Sequence, residues 1–321
     1  MSILEDVRNI QKSLNQYILD QEDIIEKVIL SLLCSGNILL EGAPGTGKTR
    51  TIKSLASLLD SSLGRIQFTP DLLPSDIVGS EVYLSDEAGN GRLEFSKGPI
   101  FNNLILADEV NRSPAKVQSA LLEAMEERQV TVSGKTYELS KLFMVMATQN
   151  PIEQEGTYPL PEAQLDRFLF KLILNYPSKE AEKMVMKLVR SEDHSKKVEE
   201  KRYSQETIFS AREEIKSIYS SDSIDQYIVD LVEATRNPSS ISNDMARWIE
   251  MGVSPRATIS LDRASRAKAW LSGEDHVEPD HVRSVFKEVL RHRLYLSYEA
   301  SAEGVDADRA LSNIMEVVKV L

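Results

Sequence analysis

An eight-residue stretch near the start of the chain carries the residue types that bind phosphate. Residues 42–49 fit the pattern G-x-x-x-x-G-K-[ST] at every fixed position, and an apolar run, residues 37–40, comes directly before them. The stretch consists of Gly42, Ala43, Pro44, Gly45, Thr46, Gly47, Lys48 and Thr49, and Arg50 follows it. In this pattern the glycines let backbone N–H groups turn inward on a triphosphate, and the lysine reaches the β- and γ-phosphates.

A strand before the stretch and a helical pattern after it favour a nucleotide-binding loop over a glycine-rich turn that only resembles one. The helix start would attract anions through its dipole. We therefore expect all nine residues from Gly42 to Arg50 to lie against the nucleotide, with the Thr49 hydroxyl on Mg²⁺. The pattern therefore predicts a nucleoside triphosphate and Mg²⁺ as ligands.

Two adjacent carboxylates form the second group with chemical potential. The apolar run 103–107 ends in Asp108 and Glu109, as expected for a buried strand whose carboxyl end points into a ligand crevice. Asp108 would hold Mg²⁺ through its water shell, and Glu109 would orient the water that attacks the γ-phosphate. An acidic pair at a strand end that merely meets solvent is the alternative, and the phosphate-loop pattern favours the catalytic interpretation.

A third apolar run, residues 142–149, ends at Asn150. An amide at this place suits a group that senses the γ-phosphate or aligns the attacking water. The structural alternative is an asparagine that caps the chain before Pro151.

Composition limits the classes of protein that the chain can belong to. Its 321 residues suggest two domains, and 41% hydrophobic residues are typical of a soluble globular protein. No apolar run reaches the roughly 18 residues of a membrane span, and the first six residues, with no basic region and no apolar core, are not expected to direct export. We therefore expect a cytoplasmic protein. One cysteine, Cys34, excludes an internal disulfide and is expected to be a small buried residue, and a net charge of −12 disfavours general nucleic-acid binding.

Apolar spacing predicts the elements that position these groups. Two short helices are expected over residues 3–33, and hairpins over 76–98 and 129–137. Ser113 is expected to cap a helix that starts at Pro114. Beyond residue 177 the strand signal gives way to helices with charged faces, in which Asp280 is expected to be an ordinary N-cap.

These patterns resemble an AAA+ ATPase core, and more narrowly the MoxR family. The longest matching runs are 67–76, 107–113, 147–153 and 158–163, and residues 162–168, 252–257 and 290–293 also match. The resemblance covers nearly the whole chain. It implies an α/β fold, a P-loop NTPase (AAA+) αβα core with a parallel sheet over residues 1–176, followed by an all-α lid domain over residues 177–321.

By resemblance, Asn150 is the first sensor, Arg167 is an arginine finger that acts on the ATP of a neighbouring subunit, and Arg256 is the second sensor, which reports from the lid. Ordinary alternatives are a surface salt bridge of Arg167 with Asp166 or Glu162, and a solvent-facing Arg256. Residues 76–98 would be the helix-2 insert and 129–139 the hairpin before the first sensor, both facing a central pore.

One position departs from the family pattern. Relatives usually carry a glycine before Gln21, where this chain has Asp20. The departure puts in doubt the backbone pocket that would receive adenine near residues 18–21.

The resemblance also implies an assembly and a class of partner. It implies a homo-oligomer, a hexameric ring, that hydrolyses MgATP to remodel or mature a protein client, in a chaperone-like way, with von Willebrand factor A (VWA) domain proteins as frequent partners. The alternatives are a magnesium-chelatase-like ATPase subunit and a nucleic-acid motor of the helicase type. The acidic charge counts against the motor. A nucleotide-gated scaffold is a further alternative, and Glu109 and Arg167 count against it.

Overall fold

The structure is a computed structural model that describes residues 2–42, 47–85, 91–149, 157–158, 160–194 and 201–320. In chain order the strands are β1 (Ile38–Gly42), β2 (Leu63–Gln67), β3 (Gly79–Ser85), β4 (Gly91–Lys97), β5 (Leu104–Asp108), β6 (Gln129–Val132), β7 (Lys135–Glu138), β8 (Met144–Gln149), β9 (Phe170–Leu174), β10 (Ile249–Met251) and β11 (Tyr295–Leu296). The α-helices are α1 (Ile3–Tyr17), α2 (Glu22–Leu33), α3 (Lys48–Leu58), α4 (Pro74–Val78), α5 (Ala115–Glu127), α6 (Glu162–Leu165), α7 (Lys179–His194), α8 (Gln205–Lys216), α9 (Asp222–Arg236), α10 (Asn243–Trp248), α11 (Pro255–Ser272), α12 (Pro279–Leu290), α13 (Tyr298–Ala302) and α14 (Ala307–Val317).

The central sheet is parallel, with strand order β2-β5-β8-β1-β9. All five carboxyl ends therefore meet at one edge, which we name the carboxyl edge; the opposite side is the amino edge. Gly42, Gln67, Asp108 and Gln149 are strand ends at the carboxyl edge. Because sequence neighbours need not be sheet neighbours, this order decides which side chains meet.

Apolar side chains cover both faces of the sheet. Within β5, Leu104 and Leu106 pack into one core with α1–α3, while Ile105 and Ala107 pack into the other core with α5. A strand buried on both faces reads as a continuous apolar run, and this is why residues 103–107 predicted the strand. The predicted αβα core is confirmed.

Two short helices precede the sheet, as predicted. Ser2 and Glu5 form a capping box at the start of α1. Asp20 lies between α1 and α2 with φ of +62°, in the left-handed region where glycine is usual. Its carboxylate accepts a hydrogen bond of 2.9 Å from the N–H of Ser178, which lowers the pKa of Asp20. The chain thus keeps at Asp20 a backbone conformation that glycine would favour.

Both predicted hairpins are present. Strands β3 and β4 pair antiparallel, as do β6 and β7. At the base of the first hairpin, Gly79 has φ of +100°, and a Cβ there would lie 2.1 Å from the carbonyl oxygen of Ser96. The turn of the second hairpin places Ser133 and Gly134 at positive φ, as a tight two-residue turn requires.

Two predicted helix caps are wrong by one or two residues. Pro114 has extended backbone (ψ 153°), so α5 begins at Ala115, and its first backbone bonds go to the carbonyl oxygen of Pro114. The Ser113 hydroxyl is buried, and among the described residues it has no hydrogen-bond partner. Glu278, rather than Asp280, is the N-cap of α12, because Pro279 takes the first helical position.

The C-terminal part is mainly helical, as predicted, but the prediction that it contains helices alone is wrong. Strands β10 and β11 form a small antiparallel pair within it. Helices α8 and α11 of this part pack against α1 and α2, and Arg212 of α8 donates two hydrogen bonds, of 3.2 and 2.6 Å, to the carbonyl oxygen of Leu32. The domain boundary at residues 176 and 177 stays a prediction. In the parts of the chain that the structure describes, no helix is long and apolar enough to cross a membrane.

Candidate functional site

The phosphate loop connects the carboxyl end of β1 to the start of α3. Ala43, Pro44, Gly45 and Thr46 lie outside the described residues, while Gly42 ends β1 and Lys48, Thr49 and Arg50 form the first turn of α3. Gly47 is the N-cap residue with φ of +87°, which fits glycine. The loop therefore joins a strand to a helix, as the sequence predicted.

Lys48 is turned back toward the loop. Its Nζ donates a 2.8 Å hydrogen bond to the carbonyl oxygen of Gly42. Burial lowers the pKa of Lys48, and the nearby carboxylates of Asp108 and Glu109 oppose that shift. The ammonium group thus lies close to both predicted acidic residues, at one edge of the sheet.

Asp108 is fixed by neighbours on two other strands. Its Oδ1 accepts a 2.7 Å hydrogen bond from the hydroxyl of Thr148 on β8, and its Oδ2 lies 2.9 Å from Nη2 of Arg65 on β2. The Thr148 oxygen also accepts from the backbone N–H of Glu109 at 2.8 Å. An oriented carboxylate facing the N-terminus of α3 suits a residue that holds the water shell of Mg²⁺.

Glu109 lies just past the strand end in the left-handed region, with φ of +57°. Its Oε2 accepts from Nε2 of Gln67 at 3.0 Å and lies 3.2 Å from Nε of Arg112. Its side chain is therefore held beside Asp108, and these partners must yield if the carboxylate is to orient water. A non-glycine residue in this region is strained and often functional.

Sequence reasoning missed Arg65, Gln67 and Thr148. All three lie on strands next to β5 in the sheet but are distant from Asp108 in sequence. The apolar run 142–149, which contains Thr148, was visible in the sequence, but the order of the strands in the sheet was not. Asn150, the predicted first sensor, lies outside the described residues, one position beyond the end of β8.

The two predicted arginines lie together, away from the phosphate loop. Nη2 of Arg167 is 2.7 Å from Oε2 of Glu126, and Nη2 of Arg256 bonds the other oxygen of the same carboxylate. Among the described residues Arg167 pairs with Glu126 and not with Asp166 or Glu162. Arg256 is 47% exposed in the first turn of α11, so it faces solvent in part, as its ordinary alternative expected, while one nitrogen pairs with Glu126.

The position of Glu126 shows which edge of the sheet this pair occupies. Helix α5 starts after β5 at the carboxyl edge and runs back, so that Glu126 lies near its far end. Two residues later, Arg128 donates to the carbonyl oxygens of Phe143 and Ser35, which precede β8 and β1. The arginine pair thus lies at the amino edge, about 16 Å from the loop by the rise of a five-residue strand.

The role of Arg256 as a second sensor stays a prediction, and the structure places its side chain beside Arg167 rather than beside Lys48. Helix α11 carries Arg256 to the amino edge beside Arg167, with the whole sheet between it and Lys48. Arg256 is held at the amino edge because the C-terminal helices dock on the core there. Arg293, which is 4% exposed, donates to Oδ1 of Asp166 at 2.8 Å and to the carbonyl oxygen of Phe168 at 2.6 Å.

A positively charged cavity of about 410 Å³ opens at this edge. Its lining includes the arginines Arg128, Arg167, Arg256, Arg263 and Arg293, against the carboxylates of Glu126 and Asp166. In a chain of net charge −12, such an excess of cations marks a place for an anion.

In the described part of the chain, Cys34 and the histidines belong to no group that could hold a metal ion. Among the described residues no group of three or more His, Cys, Asp or Glu side chains could hold a metal ion. Cys34 is only partly buried, and its thiol donates to the carbonyl oxygen of Arg263 at 3.4 Å. Desolvation raises the pKa of this thiol to about 12, so Cys34 is no nucleophile.

Known proteins resemble this chain over nearly its whole length. Residues 37–170 match the family described as "ATPase family associated with various cellular activities (AAA)", and residues 243–314 match the AAA lid domain. Chaperone MoxR1 of Mycobacterium tuberculosis is 41% identical over 94% of this chain and 78% of its own length. The chain belongs to the MoxR family of AAA+ ATPases.

Other relatives agree with that assignment. Protein YeaC of Bacillus subtilis is 44% identical over 96% of this chain and 92% of its own length, and protein MoxR of Paracoccus denitrificans is 33% identical over 93% and 91%. A crystal structure of a proposed ATPase from Cytophaga hutchinsonii superposes with a TM-score of 0.91 at 42% identity. The match covers 99% of this chain and 96% of that one.

Proposed function

We propose that this MoxR-family ATPase hydrolyses MgATP at sites shared between neighbouring subunits of a ring, and uses the cycle to remodel a protein partner. The observation that carries the proposal is the separation of the charged groups. Lys48, Asp108 and Glu109 lie at the carboxyl edge of the sheet, while Arg167 and Arg256 lie at the amino edge. This separation supports a site shared by two adjacent subunits, in which each set would come from a different subunit.

Each group at the carboxyl edge has a role that fits its contacts. Lys48 would leave the carbonyl of Gly42 to bind the β- and γ-phosphates of ATP, and the N-terminus of α3 would attract the same anion. Thr49 and Asp108 would hold Mg²⁺, which supplies charge neutralisation for the phosphates. Glu109, released from Gln67 and Arg112, would orient the attacking water.

The amino edge supplies the positive charge that completes the site. Arg167 and Arg256 would stabilise the negative charge that develops on the γ-phosphate of the neighbour. Arginine donates in a planar fork that matches phosphate oxygens, and a finger of this kind contributes about 10³ to 10⁵ in rate. We propose that Asn150, next to the end of β8, completes the site on the loop side.

A protein client is the proposed substrate of the cycle. A relative that is named a chaperone supports a protein substrate, and the family resemblance favours partners with a VWA domain. Exposed apolar side chains on the first hairpin, Val82, Tyr83 and Leu93, offer a surface for polypeptide. Hexameric stoichiometry and a cytoplasmic location remain predictions from the sequence.

Two substitutions test the chemistry of the proposal. Lys48→Ala should abolish tight ATP binding, whereas Glu109→Gln should bind ATP with near-normal affinity and lose turnover, because only the orientation of water is removed. Binding of a fluorescent ATP analogue and release of phosphate measure the two properties separately. A normal rate of hydrolysis in purified Glu109→Gln would contradict the assignment. The same variant, which should hold ATP without cleaving it, is suited to capture the client.

A further inference from the structure

One carboxylate bridges the two arginines at the amino edge. Glu126 lies on α5, Arg167 follows α6, and Arg256 is in the first turn of α11. The two oxygens of Glu126 are divided between them, one for Nη2 of each guanidinium. Three elements that are distant in sequence therefore meet at this one side chain.

The bridge leaves most of the donor groups of the arginines available. Each guanidinium carries five N–H donors, and the contacts with Glu126 use one nitrogen of each arginine. Nε of Arg167 is buried and has no hydrogen-bond partner within the described part of the chain, which is costly for a charged group. Arg167 is thus fixed in place while part of its hydrogen-bonding capacity is unused.

Two guanidinium groups held this close repel each other unless an anion lies between them. The Glu126 carboxylate supplies that negative charge. Because each of its oxygens contacts one guanidinium, it holds the two groups close to each other. The neighbouring ion pair Asp166–Arg293 is nearly buried. Asp166, next to Arg167 in the chain, also accepts a 2.8 Å hydrogen bond at Oδ2 from Oγ of Ser254, two residues before Arg256. The backbone beside each of the two arginines is therefore anchored. The positions of the Arg167 and Arg256 side chains then depend on their ion pairs with Glu126.

We propose that Glu126 is a positioning residue that holds Arg167 and Arg256 at the spacing required to grip one phosphate group of the adjacent subunit. This inference rests on the proposed function, because it assumes that the arginine pair acts across an interface. Glu126 itself touches neither substrate nor metal. It orients the pair from behind, and it belongs to the subunit that supplies the arginines.

The first test separates binding from turnover. Glu126→Ala should lower kcat about ten- to hundredfold, the range found when an outer-shell partner of a functional group is removed. The dissociation constant for ATP should stay at the wild-type value, because the phosphate loop lies at the opposite edge of the sheet, about the length of a five-residue strand away. Glu126→Gln should recover part of kcat, since its amide oxygen still accepts from one guanidinium.

Glu213→Ala is the matched control. Glu213 also lies on a helix and pairs with a cation, Lys216 at 2.7 Å, but its side chain is 70% exposed and does not line the cavity at the amino edge. Its kcat and ATP affinity should equal those of the wild type. A kcat of Glu126→Ala within about twofold of that control, or a loss without any recovery in Glu126→Gln, would overturn the proposal.

The second test assigns Glu126 to one side of the interface by mixing impaired subunits. Glu126→Ala mixed with Lys48→Ala should regain activity, because one interface then pairs an intact loop with an intact arginine pair. Glu126→Ala mixed with Arg167→Ala should gain nothing. The reverse pattern would overturn the proposal. Failure of Lys48→Ala and Arg167→Ala to complement each other would instead refute the shared site, and the kcat of Glu126→Ala would still decide whether Glu126 positions the arginines.

Discussion

The contact between the lid and the core depends on an ion pair that is almost buried. Arg293 is 4% exposed and donates to Asp166 Oδ1 at 2.8 Å, and it also donates to the carbonyl oxygens of Phe168, Leu169 and Asp166 itself. Burial lowers the pKa of Arg293, and the Asp166 carboxylate opposes that shift. Removing Asp166 would leave a desolvated cation without its counterion.

We predict that Asp166→Ala lowers the free energy of unfolding by about 3 kcal/mol. Breaking a buried ion pair by deleting one partner costs about 3–5 kcal/mol, and the lower end applies because the Asp166 side chain is 17% exposed. Urea unfolding followed by circular dichroism measures the change. The variant should also lose ATPase activity, because Asp166 adjoins Arg167 and accepts from the N-cap serine of α11.

Asp244→Ala is the control for this prediction. Asp244 pairs with Arg247 at 2.9 Å, but both side chains are about half exposed, so its loss should cost at most about 1 kcal/mol. Replacing Arg293 by methionine together with Asp166→Ala should cost less than the sum of the two single changes, because no unpaired charge remains. A cost below about 1 kcal/mol for Asp166→Ala would refute the reasoning.

Two further predictions concern the whole assembly. Single-stranded DNA at physiological salt should leave the ATPase rate unchanged, because a chain of net charge −12 gains little from counterion release; several-fold stimulation would favour the helicase-type alternative. The specific activity should rise with protein concentration as subunits associate, while ATP binding should not, since the loop is complete within one subunit. Full turnover in a dilute monomer, checked by sedimentation, would contradict the shared site.

The elements nearest the phosphate loop could be predicted from sequence because their signals are local. The glycines and Lys48 lie within one short motif, and the apolar run 103–107 predicts a strand buried on both faces. The hairpin 129–137 was predicted by its alternation around Ser133 and Gly134, which do occupy the turn. In each case the residues that decide the structure are adjacent in the chain.

The contacts that fix the site could not be predicted in this way. Gln67 reaches Glu109 only because β2 lies next to β5, and nothing local states that order. Glu126 reads as one of several charged residues on an amphipathic helix, and its partners are 41 and 130 residues further along the chain. The position of Arg256 at the amino edge depends on how the lid docks, through Arg293 among others.

The central claim is that both arginines act on the nucleotide of the adjacent subunit, and subunit mixing with Arg256→Ala tests it most directly. Arg256→Ala and Lys48→Ala should each be inactive alone and should regain activity when mixed. Arg256→Ala mixed with Arg167→Ala should stay inactive, because both lesions lie on the same side of the interface. If Arg256→Ala were instead rescued by Arg167→Ala and not by Lys48→Ala, Arg256 would serve the phosphate loop of its own subunit, and the central claim would be wrong.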